Sequence, residues 1–172
     1  GPSRTFTSSG SAWTVDYDDT TKRSGSSAIP ASAGTTTVNA NNGGTNSDLT
    51  VYVAEFLGLK TGGAIQQTVR KAVSGVSLVT DWDTNGLLLT QDSLVICVSL
   101  QTSGSAPRSS TTGSGFAALA GTGLTSGNIP NASEGDVMHV SWGNFPSGAT
   151  VVGAGQWDAV VTTDSWLVAY EL

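Results

Sequence analysis

The stretch Asp164-Ser-Trp-Leu-Val-Ala-Tyr-Glu-Leu172 decides the fold of this chain. After a polar start it runs through large apolar and β-branched side chains, which is typical of a buried β-strand. Asp48-Leu-Thr-Val-Tyr-Val-Ala-Glu-Phe56 has nearly the same pattern. Asp48 and Asp164 are separated by the same number of residues as Glu55 and Glu171. Two explanations stay open. Two strands of one β-protein share a composition, or the chain holds a diverged internal duplication with repeats 1–57 and 87–172.

The other apolar segments are short and are separated by turns rich in Gly, Asn, Ser and Thr. Ser93-Leu-Val-Ile-Cys-Val-Ser-Leu100 predicts a central strand covered on both faces, and Asp136-Val-Met-His-Val-Ser-Trp142 predicts an alternating one. Residues 64–73 fit part of a helical face or a strand, and we favour the strand. Roughly ten to twelve short strands predict an all-β fold, an antiparallel β-sandwich of jelly-roll type that spans residues 1–172 as a single domain.

Several polar segments are predicted to be loops or turns. Among them are residues 80–86, in which Trp82 looks exposed, and residues 101–115, 122–135 and 143–148. The chain opens with Gly1-Pro2, which is the scar that a common viral protease leaves after tag removal. If Gly1-Pro2 has that origin, we expect that the chain was cut from a longer protein.

Charge excludes two classes of partner. Only 12% of the 172 residues are charged, the net charge is −6, and the seven basic residues are scattered along the chain. A nucleic-acid surface needs a basic stripe, and an anionic membrane surface also attracts basic residues. No apolar run approaches the length of a membrane span. We expect no nucleic-acid partner and no membrane insertion.

His139 is the only histidine, so any Ser/His/Asp hydrolase mechanism would depend on it as the general base. It lies within a predicted strand, and the chain contains no Gly-x-Ser-x-Gly nucleophile turn. Cys97 is the only cysteine and lies inside an apolar run, so neither an internal disulfide nor a cysteine-based metal site is expected. The sequence predicts a structural or surface histidine and no enzyme.

Two acidic groups could bind calcium through their oxygen atoms or act as paired glycosidase carboxylates. They are Asp16, Asp18 and Asp19 in one segment, and Asp81 and Asp83 in another. Neither group has the spacing of an EF-hand, and both lie beside turn residues that favour aspartate anyway. We expect solvated loop acids and no cofactor, with calcium at Asp16, Asp18 and Asp19 as the alternative.

Aromatic residues offer a candidate sugar site. Trp142, Asn144 and Phe145 place two rings and an amide at the end of a predicted strand, and Trp82 is flanked by Asp81 and Asp83. An aromatic ring can stack on the C–H face of a pyranose while amides and carboxylates bind the hydroxyl groups. The competing interpretation is that these rings pack in the core, which we expect of Trp13, Trp157 and Trp166.

Three segments carry a resemblance to known proteins: Ser93-Leu-Val-Ile-Cys-Val-Ser-Leu100, Gly113-Ser-Gly-Phe-Ala-Ala-Leu119 and Trp166-Leu-Val-Ala-Tyr-Glu171. Together they resemble Gly/Ser/Thr-rich jelly-roll domains of viral coat and projection proteins and of phage or bacterial surface proteins. This resemblance implies a non-enzymatic structural domain on a virion surface or in an extracellular location. It also implies homo-oligomers or neighbouring subunits as partners, and attachment to a host glycan or receptor. A carbohydrate-binding module of a secreted or surface protein is the alternative.

If the duplication is real, the first copy lacks a counterpart of the strand at residues 94–100. A missing strand would leave one edge of a sheet open, and open edges pair with other chains. We then expect a partner subunit, or a further part of a longer coat or fibre protein, to cover that edge.

Overall fold

The computed structural model describes residues 5–8, 14–18, 23–26, 38–41, 54, 56, 58–59, 65–73, 79–103, 110–119, 128–130 and 137–172. The chain divides into two compact units, Gly1–Glu55 and Phe56–Leu172. Every element within these ranges is a β-strand, and the strand pairs are antiparallel. The prediction of an all-β, antiparallel fold is confirmed. The described ranges hold no helix that is long and apolar enough to cross a membrane.

The strands are numbered in chain order. They are β1 Thr5–Ser8, β2 Thr14–Asp18, β3 Arg23–Ser26, β4 Val38–Asn41, β5 Ile65–Val73, β6 Val79–Asp83, β7 Leu87–Leu88, β8 Ser93–Ser103, β9 Ser110–Thr112, β10 Ala117–Ala118, β11 Asn128–Pro130, β12 Val137–Phe145, β13 Thr150–Val151 and β14 Ala154–Glu171.

The first unit contains two strand pairs, β1 with β4 and β2 with β3. The alternating segment that ends at Tyr17 forms β2, as its pattern predicts. The earlier of the two similar segments, residues 48–56, lies mostly outside the described residues. Ala54 and Phe56 are described there, and neither is in a strand. The internal duplication therefore stays a prediction.

The second unit is built on a sheet with the strand order β10–β12–β8–β14–β5, and β11 also pairs with β12. β8 lies between β12 and β14, which confirms the central strand predicted at residues 93–100. β5 confirms the preference for a strand over a helix at residues 64–73. The β-branched residues Thr68, Val69 and Val73 explain this outcome, because such side chains fit a pleated strand better than a helix.

The C-terminal strand begins at Ala154 and is longer than the predicted segment at residues 164–172. Its first part pairs with β6 and β9, and its second part pairs with β8 and β5. The register against β8 shifts between Thr162 and Thr163, close to the position where the partners change. One strand thus joins two sets of partners.

Four of these loop predictions are wrong in part. Trp82 lies in β6, residues 101–103 extend β8, residues 110–112 form β9, residues 128–130 form β11, and residues 143–145 extend β12. These segments are rich in Gly, Ser, Thr and Asn, so their composition indicates loops. Pairing overrides that composition, because the backbone of a neighbouring strand supplies the hydrogen bonds whatever the side chains are.

The core of the second unit contains side chains from both parts of β14. One cluster of buried side chains contains Trp82, Leu87, Leu89, Val95, Cys97, Val137, Val151, Trp157, Val161, Leu167 and Ala169. Gly153 lies directly against this cluster, since a Cβ atom there would overlap Cys97 Sγ and come within 2.9 Å of Leu167 Cδ2. Only glycine lets the segment before β14 approach the sheet so closely. The buried positions of Trp157 and Trp166 confirm their predicted packing role, whereas Trp13 lies outside the described residues.

The core-facing side of β8 changes character along the strand. Val95 and Cys97 are apolar, whereas Ser99 and Gln101 are polar and equally buried. Buried polar groups need hydrogen-bond partners, because each loses its contact with water. The candidate site described below lies on this polar half of the sheet face, at Ser99 and Gln101.

Candidate functional site

His139 is fully buried on the core-facing side of β12. The strand register places it opposite Ser99 of β8 and opposite Asn128 of β11. Alternation along β12 directs Val137, His139 and Ser141 to one face, so the pattern that predicted this strand also brings the histidine into the interior. The predicted structural role of His139 agrees with this position.

Asn128 holds β11 to β9 through two hydrogen bonds with one residue. The backbone N–H of Ser110 donates to Asn128 Oδ1 at 2.9 Å, and Asn128 Nδ2 donates to the carbonyl oxygen of Ser110 at 3.0 Å. This pair fixes the orientation of the amide, because the opposite orientation would face donor to donor and acceptor to acceptor.

The orientation of Asn128 determines the tautomer of His139. Asn128 Oδ1 lies 3.3 Å from His139 Nδ1, and a carbonyl oxygen can only accept. Nδ1 therefore carries the proton and donates, and Nε2 is left as an acceptor. Burial also lowers the pKa of His139 to about 4, so the ring is neutral at neutral pH.

Trp82 completes this group, which we call the His139 cluster: Trp82, Ser110, Asn128 and His139. Trp82 Nε1 donates to Ser110 Oγ at 2.8 Å, and its ring centroid lies 6.0 Å from that of His139 at 59°. The indole is 3% exposed. The expectation that Trp82 is exposed in a loop is wrong, because β6 directs it inwards over Gly155, where a Cβ atom would come within 2.6 Å of the indole.

The bonding pattern around His139 has the chemistry of a hydrolase dyad, with an amide oxygen on Nδ1 and a free acceptor at Nε2. Its access differs. His139 and its strand neighbour Ser99 both have no exposed surface, so neither can contact a substrate in this conformation. The cluster can tie β6, β9, β11 and β12 together, and that is the action its geometry supports.

Cys97 is the other residue of chemical interest on this face. Burial raises the pKa of its thiol to about 12, and a hydrogen bond with Ser141 lowers it by a smaller amount. Thiolate, not thiol, is the reactive form, so this residue is inert at neutral pH. It is a free cysteine that fills space in the core.

The predicted aromatic platform is divided between two faces of β12. Trp142 is half-buried, lies 6.5 Å from Phe56 between ring centroids, and shares its face with the exposed Asn144. Phe145 lies on the opposite face, packed against the core and 5.1 Å from Phe116. Because β12 continues to Phe145, alternation separates the two rings that a turn could have brought together.

The structure also places the predicted acidic residues. Asp81 and Asp83 are exposed on either side of buried Trp82 in β6, and Asp81 Oδ1 accepts a hydrogen bond from Gln156 Nε2 at 2.8 Å. Asp16 and Asp18 lie in β2, and Asp19 lies outside the described residues. No group of three or more metal-binding side chains is arranged to hold an ion in the ranges that the structure describes.

Sequence reasoning missed Asn128 and Ser110, the two residues that organise the cluster. Both lie in segments whose composition predicts loops, in the very short strands β11 and β9. No local signal distinguishes these two polar residues from the many around them. Comparison with protein families, with curated proteins and with solved structures finds no match for this chain.

Proposed function

We propose that this chain is a non-enzymatic structural domain exposed on a virion, as a capsid projection, a decoration or a fibre. The observation that carries the proposal is the complete burial of His139, the one histidine of the chain. The residue on which a classical hydrolase mechanism would depend holds strands together instead. Together with the inert thiol of Cys97, this favours a scaffold over a catalyst.

We further propose a β-sandwich of jelly-roll type with roughly ten to twelve strands as the complete fold. The long strand β14 supports this arrangement, since it pairs with β6 and β9 at one end and with β8 and β5 at the other. Strands that change partners in this way join the two layers of orthogonal sandwiches. Low charge and a net charge of −6 suit an exposed domain at the virion surface or in an extracellular location.

In this role the chain would contact copies of itself or neighbouring subunits, and it would attach to a host receptor. Antibodies against the purified chain provide the test. Gold-labelled antibody on the surface of intact particles from the source organism is the expected result. Labelling of soluble material alone would overturn the assignment to a particle.

A parallel assay tests the absence of catalysis. The purified chain is incubated with ester, peptide and glycoside substrates beside a His139→Gln variant. We expect no turnover above the buffer rate for either protein. Turnover by the wild-type chain would overturn the non-enzymatic proposal, and its loss in a variant that circular dichroism shows to be folded would identify His139 as the residue responsible.

A carbohydrate-binding module is the second candidate, and one observation favours it. Trp142 is half-buried, and the exposed residue Asn144 lies two residues further along the same face of β12. Phe145 faces the core and Trp82 is buried, so neither offers a ring face to a sugar. The candidate site is reduced to Trp142 and Asn144.

A glycan array distinguishes the two candidates. Wild-type protein is compared with Trp142→Ala and Asn144→Ala, and Val160→Ala serves as a control because Val160 is 51% exposed on a different strand. Binding that is lost in the first two variants and kept in the control would identify a sugar-reading domain. A blank array would remove this candidate and leave the structural role.

A further inference from the structure

Asn85 and Gly86 lie in the segment that connects β6 to β7, outside both strands. Both residues are exposed to solvent. The sequence holds one other Asn-Gly pair, Asn42-Gly43, and that pair lies outside the described residues. Asparagine is a chemically labile residue, and a following glycine has no Cβ atom to keep its backbone nitrogen away from the asparagine side chain. The pair therefore has the local chemistry of a self-modifying site.

Thr84 holds the backbone of this segment from the buried side. Its backbone N–H donates to the carbonyl oxygen of Gly153 at 2.7 Å, and its Oγ1 accepts from the Gly153 N–H at 2.9 Å. The same hydroxyl donates to the carbonyl oxygen of Asn85 at 3.0 Å. That oxygen belongs to the peptide bond between Asn85 and Gly86, so the hydrogen bond draws electron density from the Gly86 nitrogen and makes its N–H more acidic.

We propose that Asn85 is a site of spontaneous deamidation in the folded chain. The Gly86 nitrogen loses its proton to hydroxide from the solvent and attacks Asn85 Cγ, which closes a cyclic succinimide. The bond between Cγ and Nδ2 breaks, and Nδ2 leaves as ammonia with a proton taken from water. Water then opens the ring at either carbonyl and gives aspartate or isoaspartate at position 85. The step uses no oxidant or cofactor, and the exposed position supplies the water.

The two products differ in their effect on the fold. Aspartate adds one negative charge to the net −6 and continues the row of exposed carboxylates that Asp81 and Asp83 begin at every second residue. Isoaspartate instead inserts a carbon atom into the main chain between Thr84 and Leu87, which are 3% and 1% exposed. Gly153 holds Thr84, and the pairing of β7 with β13 holds Leu87, so the longer chain does not fit between them. We expect the isoaspartate form to unfold at a lower urea concentration than the aspartate form.

Mass spectrometry of peptides from the aged protein tests the proposal. The folded chain is kept at mildly alkaline pH, and samples are digested at intervals. We expect the peptide that contains residue 85 to gain the mass difference between Asp and Asn and to separate into two forms on chromatography. Asn144 is the internal control and should keep its amide, because it is also exposed but precedes Phe145, whose side chain hinders the attack.

A variant and an unfolded reference complete the test. Gly86→Ala should lose the amide several-fold more slowly, and it should fold because its Cβ atom meets only the Thr150 Cγ2 methyl at 3.2 Å and the Val152 Cγ2 methyl at 3.8 Å. A wild-type rate in this variant would overturn the attack by the Gly86 nitrogen. The reference is the wild-type chain unfolded in urea, in which no structure restrains residue 85. An amide that survives in the folded chain while the unfolded chain loses it would show that the fold protects Asn85, and the proposal would be wrong.

Discussion

Asn128 Oδ1 lies 3.3 Å from His139 Nδ1, in the interior of the second unit. The same oxygen accepts from the backbone of Ser110, so one amide joins β9, β11 and β12. β9 and β11 have three residues each and could not hold their positions by apolar burial alone. A buried amide with fixed partners gives these short strands a defined register.

Replacement of Asn128 by Ala should destabilise the fold strongly. The variant leaves the N–H and carbonyl of Ser110 and the Nδ1–H of His139 without their partner, and each buried polar group costs about 1–3 kcal/mol when left unsatisfied. We expect a total loss of about 3 kcal/mol or more in the free energy of unfolding, measured by urea denaturation. Asn144→Ala is the matched control and should change stability by less than about 0.5 kcal/mol, because Asn144 is exposed. Equal effects of the two variants would contradict this account.

The stability of the chain should decrease in acid because of His139. Its pKa is lowered from 6.5 to about 4 by burial, so below pH 6.5 the unfolded state binds a proton that the folded state does not. Stability from this residue is complete above pH 6.5 and is lost as the pH falls from 6.5 to about 4. The total loss is about 3 kcal/mol.

Carboxylates titrate in part of the same range, so the histidine must be isolated by difference. Unfolding free energies of the wild-type chain and of His139→Gln are measured between pH 7 and pH 4. The difference between the two should change with pH over this interval, since only the wild type has the histidine. Parallel curves would show that His139 does not titrate as its burial requires.

Trp82 should contribute far more to stability than Trp142. Trp82→Ala removes a buried indole together with its hydrogen bond to Ser110, and we expect a loss of about 3–5 kcal/mol. Trp82→Phe keeps most of the ring and should lose about 1–2 kcal/mol, the cost of leaving Ser110 Oγ without this donor. Trp142→Ala, on a half-buried position, should have a smaller effect than Trp82→Ala. A larger loss of unfolding free energy for Trp142→Ala than for Trp82→Ala in chemical denaturation would contradict the burial of Trp82.

Strand identity could be predicted from the sequence wherever apolar or β-branched residues dominate, as in β5, β8 and the second part of β14. The candidate site could not. The sequence predicts a turn at Gly143 and Asn144 that would bring Trp142 and Phe145 to one surface, yet pairing with β8 keeps the segment extended to Phe145. Asn128 and Ser110 acquire their role only from long-range pairing, which no local pattern encodes.

Gly153 and Cys97 should be coupled across the core. A methyl group at Gly153 would overlap Cys97 Sγ. Two hydrogen bonds prevent the segment from moving away: the Thr84 N–H donates to the carbonyl oxygen of Gly153 at 2.7 Å, and the Gly153 N–H donates to Thr84 Oγ1 at 2.9 Å. We expect Gly153→Ala to cost about 1–3 kcal/mol through overpacking. In a Cys97→Ala background the sulfur is gone, so the same substitution should cost less, and a double-mutant cycle by urea denaturation should give a coupling of at least about 0.5 kcal/mol. Strict additivity of the two substitutions would show that Gly153 does not pack against Cys97.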